Sequence, residues 1–327
     1  MTPVLIVVRL FVMNMTVHQM TLNELLSRFP DEAACKAFLE KKRWPDGVVK
    51  CPRCGAKAYT LKARPFHYLC KSGAESVDKT TGEVSVCNKT NGYRFSVITR
   101  TVFENTNYPL REWFTVIFLM FSSKKGMSAL QIHRMIGSGS YETAWYMCTR
   151  IRSAMRGDIL PLEGIVEADE TYVGGKDKNK HANKRKYGTG GSGHLADKTM
   201  VIGAIARKGN VVCQAVNELG FTTYEDFVRA AVSDKVTLVA TDEHAGYRNL
   251  RRHGMPHQSV NHSLHQYVVG SVHTNTIENF WSLLKRGIIG NYHHVSREYL
   301  PLYLNEFSFR FNNRKNPDIF DAIIAGC

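Results

Sequence analysis

HTNTIENFWSLLKRGIIGNYHH, residues 273–294, is the stretch on which the fold turns. Asn275 or Thr276 can cap a helix here, because short polar side chains accept the free N–H groups of a first turn. Behind that cap Ile277, Phe280, Trp281, Leu284 and Ile288 recur at three- and four-residue intervals and make one apolar face. Glu278, Ser282 and Lys285 share another face. A carboxylate and an ammonium are thus held two turns apart on a rod anchored by Trp and Phe. Taken alone, the pair is what many surface helices show. Its meaning depends on which other acids the chain brings to it.

Upstream, GIVEADETYVG (164–174) reads as a strand carrying Asp169. KTMVIGAIARKG (198–209) and NVVCQAVNEL (210–219) read as a hairpin, and TYEDFVRAAV (223–232) as a helix. KVTLVATDEHAGY (235–247) is an apolar strand running into Asp242. A further aromatic-rich helix follows the opening stretch and ends at Asn-Pro. Strand, strand, strand, helix, strand, helix is an α/β order, which predicts a mixed sheet flanked by helices.

Asp169, Asp242 and Glu278 stand out. An unpaired acid beside other acids is costly unless a cation neutralises it. Three oxygen donors suit one or two Mg²⁺ (or Mn²⁺) ions, which accept substrate phosphates. Two such ions can serve an in-line phosphoryl displacement, and Lys285 can pair with a DNA phosphate. Glu167, Glu170 and Glu243 are neighbouring acids. Strand alternation sends Glu170 to the face opposite Asp169, while Glu167 shares the face of Asp169.

The N-terminal half has a different character. CPRCG (51–55) is a metal knuckle, two thiolates three residues apart with Gly55 for a tight turn. Cys70 comes at ribbon spacing, but KSGAESVDKTTGEVSV (71–86) separates it from Cys87. That polar segment reads as an insertion looping out of the second knuckle, so Cys51, Cys54, Cys70 and Cys87 are the expected zinc ligands. His67 is the substitute for the fourth. Cys35, Cys148 and Cys213 read as core residues. Before the ribbon, 21–44 reads as two helices broken at Pro30, the second capped by Asp31.

YRFSVITRTVFE (93–104) alternates like strands, and PLREWFTVIFLMFSS (109–123) is an apolar helix. SALQIHRMIG (128–137) and SYETAWYMCTRIRSAM (140–155), capped by Ser128 and Ser140, give a helix-turn-helix outline. Arg150 and Arg152 on its last helix are expected to meet DNA. The loop 176–193 carries Lys176, Lys178, Lys180, Lys184, Arg185 and Lys186, a basic arm toward phosphate.

Composition agrees with that partner. The 327 residues hold 43 Lys plus Arg against 29 Asp plus Glu, a net charge of +14. Such an excess favours a polyanion, since each contact with a phosphate releases a counterion. The apolar run 3–13 is broken by Arg9, is too short to span a bilayer, and precedes no cleavage site. Natural translation is expected to start at Met13, Met15 or Met20. The divisions expected are an unstructured extension (1–20), a helical lead-in with zinc ribbon (21–105), a helix-turn-helix-like unit (106–160) and a catalytic domain (161–327).

The strings VEADETYVGGK, ATDEHAGY and HTNTIENFWSLLKRGIIGNYHHVS, with 35 residues between Asp242 and Glu278, resemble bacterial insertion-sequence transposases that carry an N-terminal zinc ribbon. The resemblance covers roughly residues 21–315. It implies an RNase H-like core of the DDE transposase and integrase type, with Asp169, Asp242 and Glu278 as the metal-binding triad. It further implies Lys285 as the helix lysine and the four cysteines as ribbon ligands. The implied reaction is metal-dependent cleavage at transposon ends by water, then attack of the freed 3′-OH on target DNA. The implied setting is the bacterial cytoplasm, with a homo-oligomer forming on paired ends. Two alternatives compete: a DNA-binding regulator with an inactive RNase H-like domain, and a nuclease of that fold that cuts without joining.

Overall fold

In the computed structural model, which describes residues 19–77, 82–137, 139–157, 161–175, 198–216, 221–260 and 273–327, the second half of the chain is built on a five-stranded sheet. Its strands are β6 (Leu162–Val173), β7 (Thr199–Ala206), β8 (Val211–Val216), β9 (Val232–Thr241) and β10 (His257–Ser259), in the spatial order β10-β9-β6-β7-β8. The first three form an antiparallel meander. β9 then returns parallel to β6 on its other side, and β10 lies parallel to β9. A parallel return needs a crossover, which α6 (Phe221–Ala231) supplies.

β7 is buried at all eight positions, as expected of a strand covered on both faces. On one face α6 packs Tyr224, Val228 and Ala231 against Val166, Ala168, Met200, Ile202 and Ala204. On the other, α7 (Asn275–Gly287) and α8 (Leu300–Asn312) bury Ile277, Phe280, Trp281, Leu284 and Phe307 against Val201 and Ile205. This is the mixed sheet flanked by helices that the element order predicts, in RNase H-like topology.

The first half has a separate core. α1 (Leu22–Arg28) and α2 (Glu32–Arg43), the latter capped by Asp31, lead into a three-stranded antiparallel sheet of β1 (Tyr59–Thr60), β2 (His67–Cys70) and β5 (Tyr93–Ser96). Between β2 and β5 a two-stranded hairpin, β3 (Glu75–Val77) and β4 (Val84–Val86), projects outward. Only 93–96 of the expected strand region 93–104 is extended; the remainder turns into α3 (Leu110–Ser122). α4 (Ala129–Ile136) and α5 (Tyr141–Ala154) follow, with Ser128 and Ser140 as caps and Gly137 left-handed at φ 72° in the turn.

The last helix, α9 (Ile319–Gly326), crosses back. Ile319, Phe320, Ile323 and Ile324 are buried with Phe29, Phe114 and Phe121 of the first half. Asp321 on it pairs with Arg28 and Lys42 at 2.9 and 2.8 Å. A C-terminal unit running unbroken from 161 to 327 is therefore corrected: its last helix completes the N-terminal core. The expectations for residues 1–18 and for the basic arm from Lys176 to Lys186 lie outside the described residues. Among the described residues, no helix is long and apolar enough to cross a membrane.

Candidate active site and cysteine cluster

β6 and β9 run side by side with Glu167 opposite Ala240, which brings Asp169 beside Asp242 just past the end of β9. The carboxylates of Asp169, Glu170 and Asp242 approach one another within 4.8 Å. Strand alternation is obeyed. Asp169 faces α7, where the Trp281 indole N–H donates to its Oδ2 at 3.0 Å. Glu170 faces the other way and accepts from the Tyr247 hydroxyl at 3.2 Å. Asp242 has left the strand and meets both. Glu170 was expected to be turned away by its face, so its presence in the cluster is a correction.

The indole seat depends on a glycine. Gly203 is the β7 residue paired with Asp169, and a Cβ there would lie 2.6 Å from the Trp281 ring. The missing side chain lets the ring lie on the sheet with its N–H toward Asp169. Nothing in the local sequence marks Gly203 for this; the reason lies in the packing of α7.

Burial and the clustered charge raise two of these carboxyl groups. Burial, with Glu170 and Asp242 adding repulsion, pushes the Asp169 carboxyl up to about 7 despite hydrogen bonds from the Glu170 backbone and Trp281. Burial and Asp242 likewise push Glu170 up to about 7. Among the described residues no Lys or Arg forms an ion pair with Asp169, Glu170 or Asp242; the His244 imidazole lies 4.0 Å from Glu170. Half-buried carboxylates, all oxygen donors and without a counter-ion among the described residues, fit a hard divalent cation such as Mg²⁺ or Mn²⁺.

Glu278 and Lys285 project from the exposed face of α7 and line the same open cleft as Asp169, Glu170 and Trp281. Glu278 accepts from the Thr274 hydroxyl at 2.9 Å and lies outside the tight carboxylate cluster. Glu167, which shares the strand face of Asp169, is fully buried under the first turn of α7. Glu243 is exposed and outside the cluster.

The four cysteines do meet. Cys51 and Cys87 sulfurs are 3.8 Å apart, and those of Cys54 and Cys70 are 3.6 Å apart. A tetrahedron with zinc–sulfur bonds of about 2.3 Å has an edge of about 3.8 Å, so the pocket fits zinc as it stands. The insertion explains how Cys87 serves. Gly73 stands where a C-x-x-C knuckle starting at Cys70 would place its second thiol. Its N–H donates to the Cys87 carbonyl at 2.7 Å, and Cys87 N–H donates to the Ala74 carbonyl at 3.0 Å. The β3–β4 hairpin is thus pinched off at its base, and Cys87 arrives beside Cys70. His67 is exposed, its ring against the Pro65 carbonyl, and lies outside the cluster.

The two arginines expected on DNA are otherwise engaged. Arg152 is 1% exposed and pairs with buried Glu306 of α8 at 2.7 Å, which corrects its assignment to DNA. Arg150 donates to the Glu104 and Thr101 carbonyls and to the Tyr146 hydroxyl, packing against Trp113. Tyr141 and Tyr146 remain exposed on α5.

A zinc-fitting ribbon joined to an RNase H-like sheet with clustered acids defines a DNA-processing class of protein. Residues 161–312 match the ISXO2-like transposase domain, and residues 30–72 match the transposase zinc-ribbon domain. A Halobacterium salinarum protein described as an uncharacterized protein in transposable element ISH50 is 27% identical over 296 residues, covering 87% of this chain and 92% of that protein. The chain thus carries an ISXO2-like transposase domain behind a transposase zinc ribbon.

Proposed function

We propose that this transposase cuts a phosphodiester at each end of its element and joins the freed 3′-OH to target DNA, using Asp169, Asp242 and Glu278. The observation that carries the reading is the convergence of Asp169 and Asp242 at the sheet centre without a described counter-cation, at the mouth of a cleft that Glu278 and Lys285 also line. Asp169 and Asp242 would hold Mg²⁺ or Mn²⁺, with Glu278 reaching in from α7. Bound, the cation supplies Lewis acidity and an activated attacking oxygen, and two ions suit both ends of an in-line displacement. Trp281 orients Asp169 and keeps water from one side of it. Lys285 offers its ammonium to a phosphate of the strand lying along α7. The four-cysteine ribbon holds zinc as a structural ion. The basic arm (Lys176, Lys178, Lys180, Lys184, Arg185, Lys186) and the exposed tyrosines of α5 extend the DNA surface. Two copies on paired ends make the working assembly.

A second arrangement is favoured by one distance: Glu170, rather than Glu278, lies in the tight cluster. Labelled DNA carrying an element end separates the two. Under the proposal, Asp242→Asn and Glu278→Gln abolish Mg²⁺-dependent cleavage, and Glu170→Gln slows it by about tenfold or less. Loss on Glu170→Gln with activity retained on Glu278→Gln supports the second arrangement. Wild-type DNA binding with no metal-dependent cleavage removes both.

A further inference from the structure

A helix N-terminus leaves its first N–H groups without partners, and a residue at the cap usually satisfies them. α7 departs from that pattern. Thr274 stands at its cap position, yet its side chain makes no capping bond. The missing acceptor comes from β6. Glu167, fully buried, accepts from Thr276 N–H at 2.7 Å and Ile277 N–H at 3.1 Å through Oε2. Its Oε1 accepts from the Thr276 hydroxyl at 2.9 Å and from Arg207 Nε at 2.7 Å, with His273 Nδ1 at 3.2 Å. Arg207 also donates to the His273 carbonyl at 3.2 Å, bracing the approach to the helix. Relieved of capping, the Thr274 hydroxyl donates to Glu278 Oε1 at 2.9 Å.

We infer that Glu167 is a positioning residue, a cap supplied from the sheet that fixes the first turn of α7 and so the reach of Glu278 toward Asp169 and Asp242. The same strand carries Asp169 two residues further on, so one strand sets both sides of the cleft. A carboxylate is required because both oxygens accept from two donors each. A glutamine would turn an amide N–H₂ toward one of those pairs, and an aspartate is one methylene short. The inference rests on the reading of Glu278 as a metal-binding acid.

The test uses the full-length protein and two variants, Glu167→Gln and Thr274→Val. Three quantities are measured: amide exchange in the first turn of α7, Mn²⁺ binding followed by electron paramagnetic resonance, and cleavage of end DNA against metal concentration. Glu167→Gln is expected to speed exchange at Thr276 and Ile277 at least tenfold while the last turns of α7 stay protected. It should raise the Mn²⁺ midpoint about tenfold, with cleavage recovering at saturating metal. Thr274→Val, which leaves the cap intact, should raise the midpoint about threefold without changing first-turn exchange. If Glu167→Gln is too unstable to purify, Glu167→Asp, one methylene short of the same N–H groups, takes its place with the same expected shifts. An unchanged midpoint in every variant that folds overturns the inference, as does a cleavage loss that saturating metal does not restore. A wild-type protein that shows no metal-dependent cleavage, or a Glu278→Gln variant that cleaves normally, defeats the underlying reading instead.

Discussion

Asp169 sits where three influences meet: burial, the charges of Glu170 and Asp242, and the favourable hydrogen bonds from the Glu170 backbone and Trp281. Its folded value near 7 lies above its unfolded one, as does that of Glu170. For an acid raised in this way, the stabilising contribution is present below the unfolded value and is lost as pH rises through the folded one. The metal-free protein should therefore lose stability between about pH 4 and about pH 7 from these two groups. A cation reverses the repulsion but competes with their protons. Mg²⁺ should thus raise the melting temperature more at about pH 8 than at about pH 5.5; equal increments would contradict the assignment. Trp281→Phe removes a bond that favours the ionised form, so the onset of metal-dependent cleavage should move up by about one pH unit. An unmoved profile would deny the indole that role. At this scale the sequence singled out Asp242 because an apolar strand running into an acid has no packing rationale, and Asp169 as an acid carried within the earlier strand. Strand parity also predicted the opposite faces of Asp169 and Glu170, but it is silent on an acid that has left the strand and meets both. Glu167 was ambiguous for a related reason. Its partners are N–H groups of a helix more than a hundred residues away.

Elements carry the second lesson. The Ile277, Phe280, Trp281, Leu284 face of α7 was legible from its spacing and packs onto the sheet as that spacing implies. The cap was not, since Asn275 and Thr276 are within the helix and the acceptor is a strand carboxylate. Local capping signals report only short-range partners. The ribbon shows the opposite case. Its insertion was readable because C-x-x-C spacing is a strict geometric demand, and the pinched hairpin base delivers Cys87 to the other three thiols. Metal analysis should find one zinc per chain in the wild type and in a variant with 75–86 replaced by a short glycine turn. Cys87→Ser should fall well below one. Zinc retained in Cys87→Ser would mean that another residue closes the site.

At the scale of the molecule, the two halves are tied by a buried network and by α9. Arg152 of α5 pairs with Glu306 of α8, which Arg310 also approaches at 3.4 Å and to which Tyr292, just past α7, donates at 3.1 Å. α7 is thus fastened to the sheet at one end and, through Tyr292 and Glu306, linked to α5 at the other. Glu306→Ala strands two arginines in the interior and should cost about 3–5 kcal/mol in denaturant unfolding; a loss below about 1 kcal/mol would show that the network is solvated. Neither tie was visible beforehand. An Arg on a helix reads as a DNA contact until its acid, 154 residues away, is known, and the short apolar α9 gives no sign of which core it joins. The central claim is that this architecture exists to place Asp169 and Asp242 for transfer of a DNA strand. It is tested most directly by incubating the full chain with Mg²⁺, a plasmid and a pre-cut element end bearing a free 3′-OH. The account predicts covalent joining of that end to the plasmid, absent without metal and absent in both Asp169→Asn and Asp242→Asn. Joining that persists in either variant, or DNA binding by the wild type with no joined product, would contradict it.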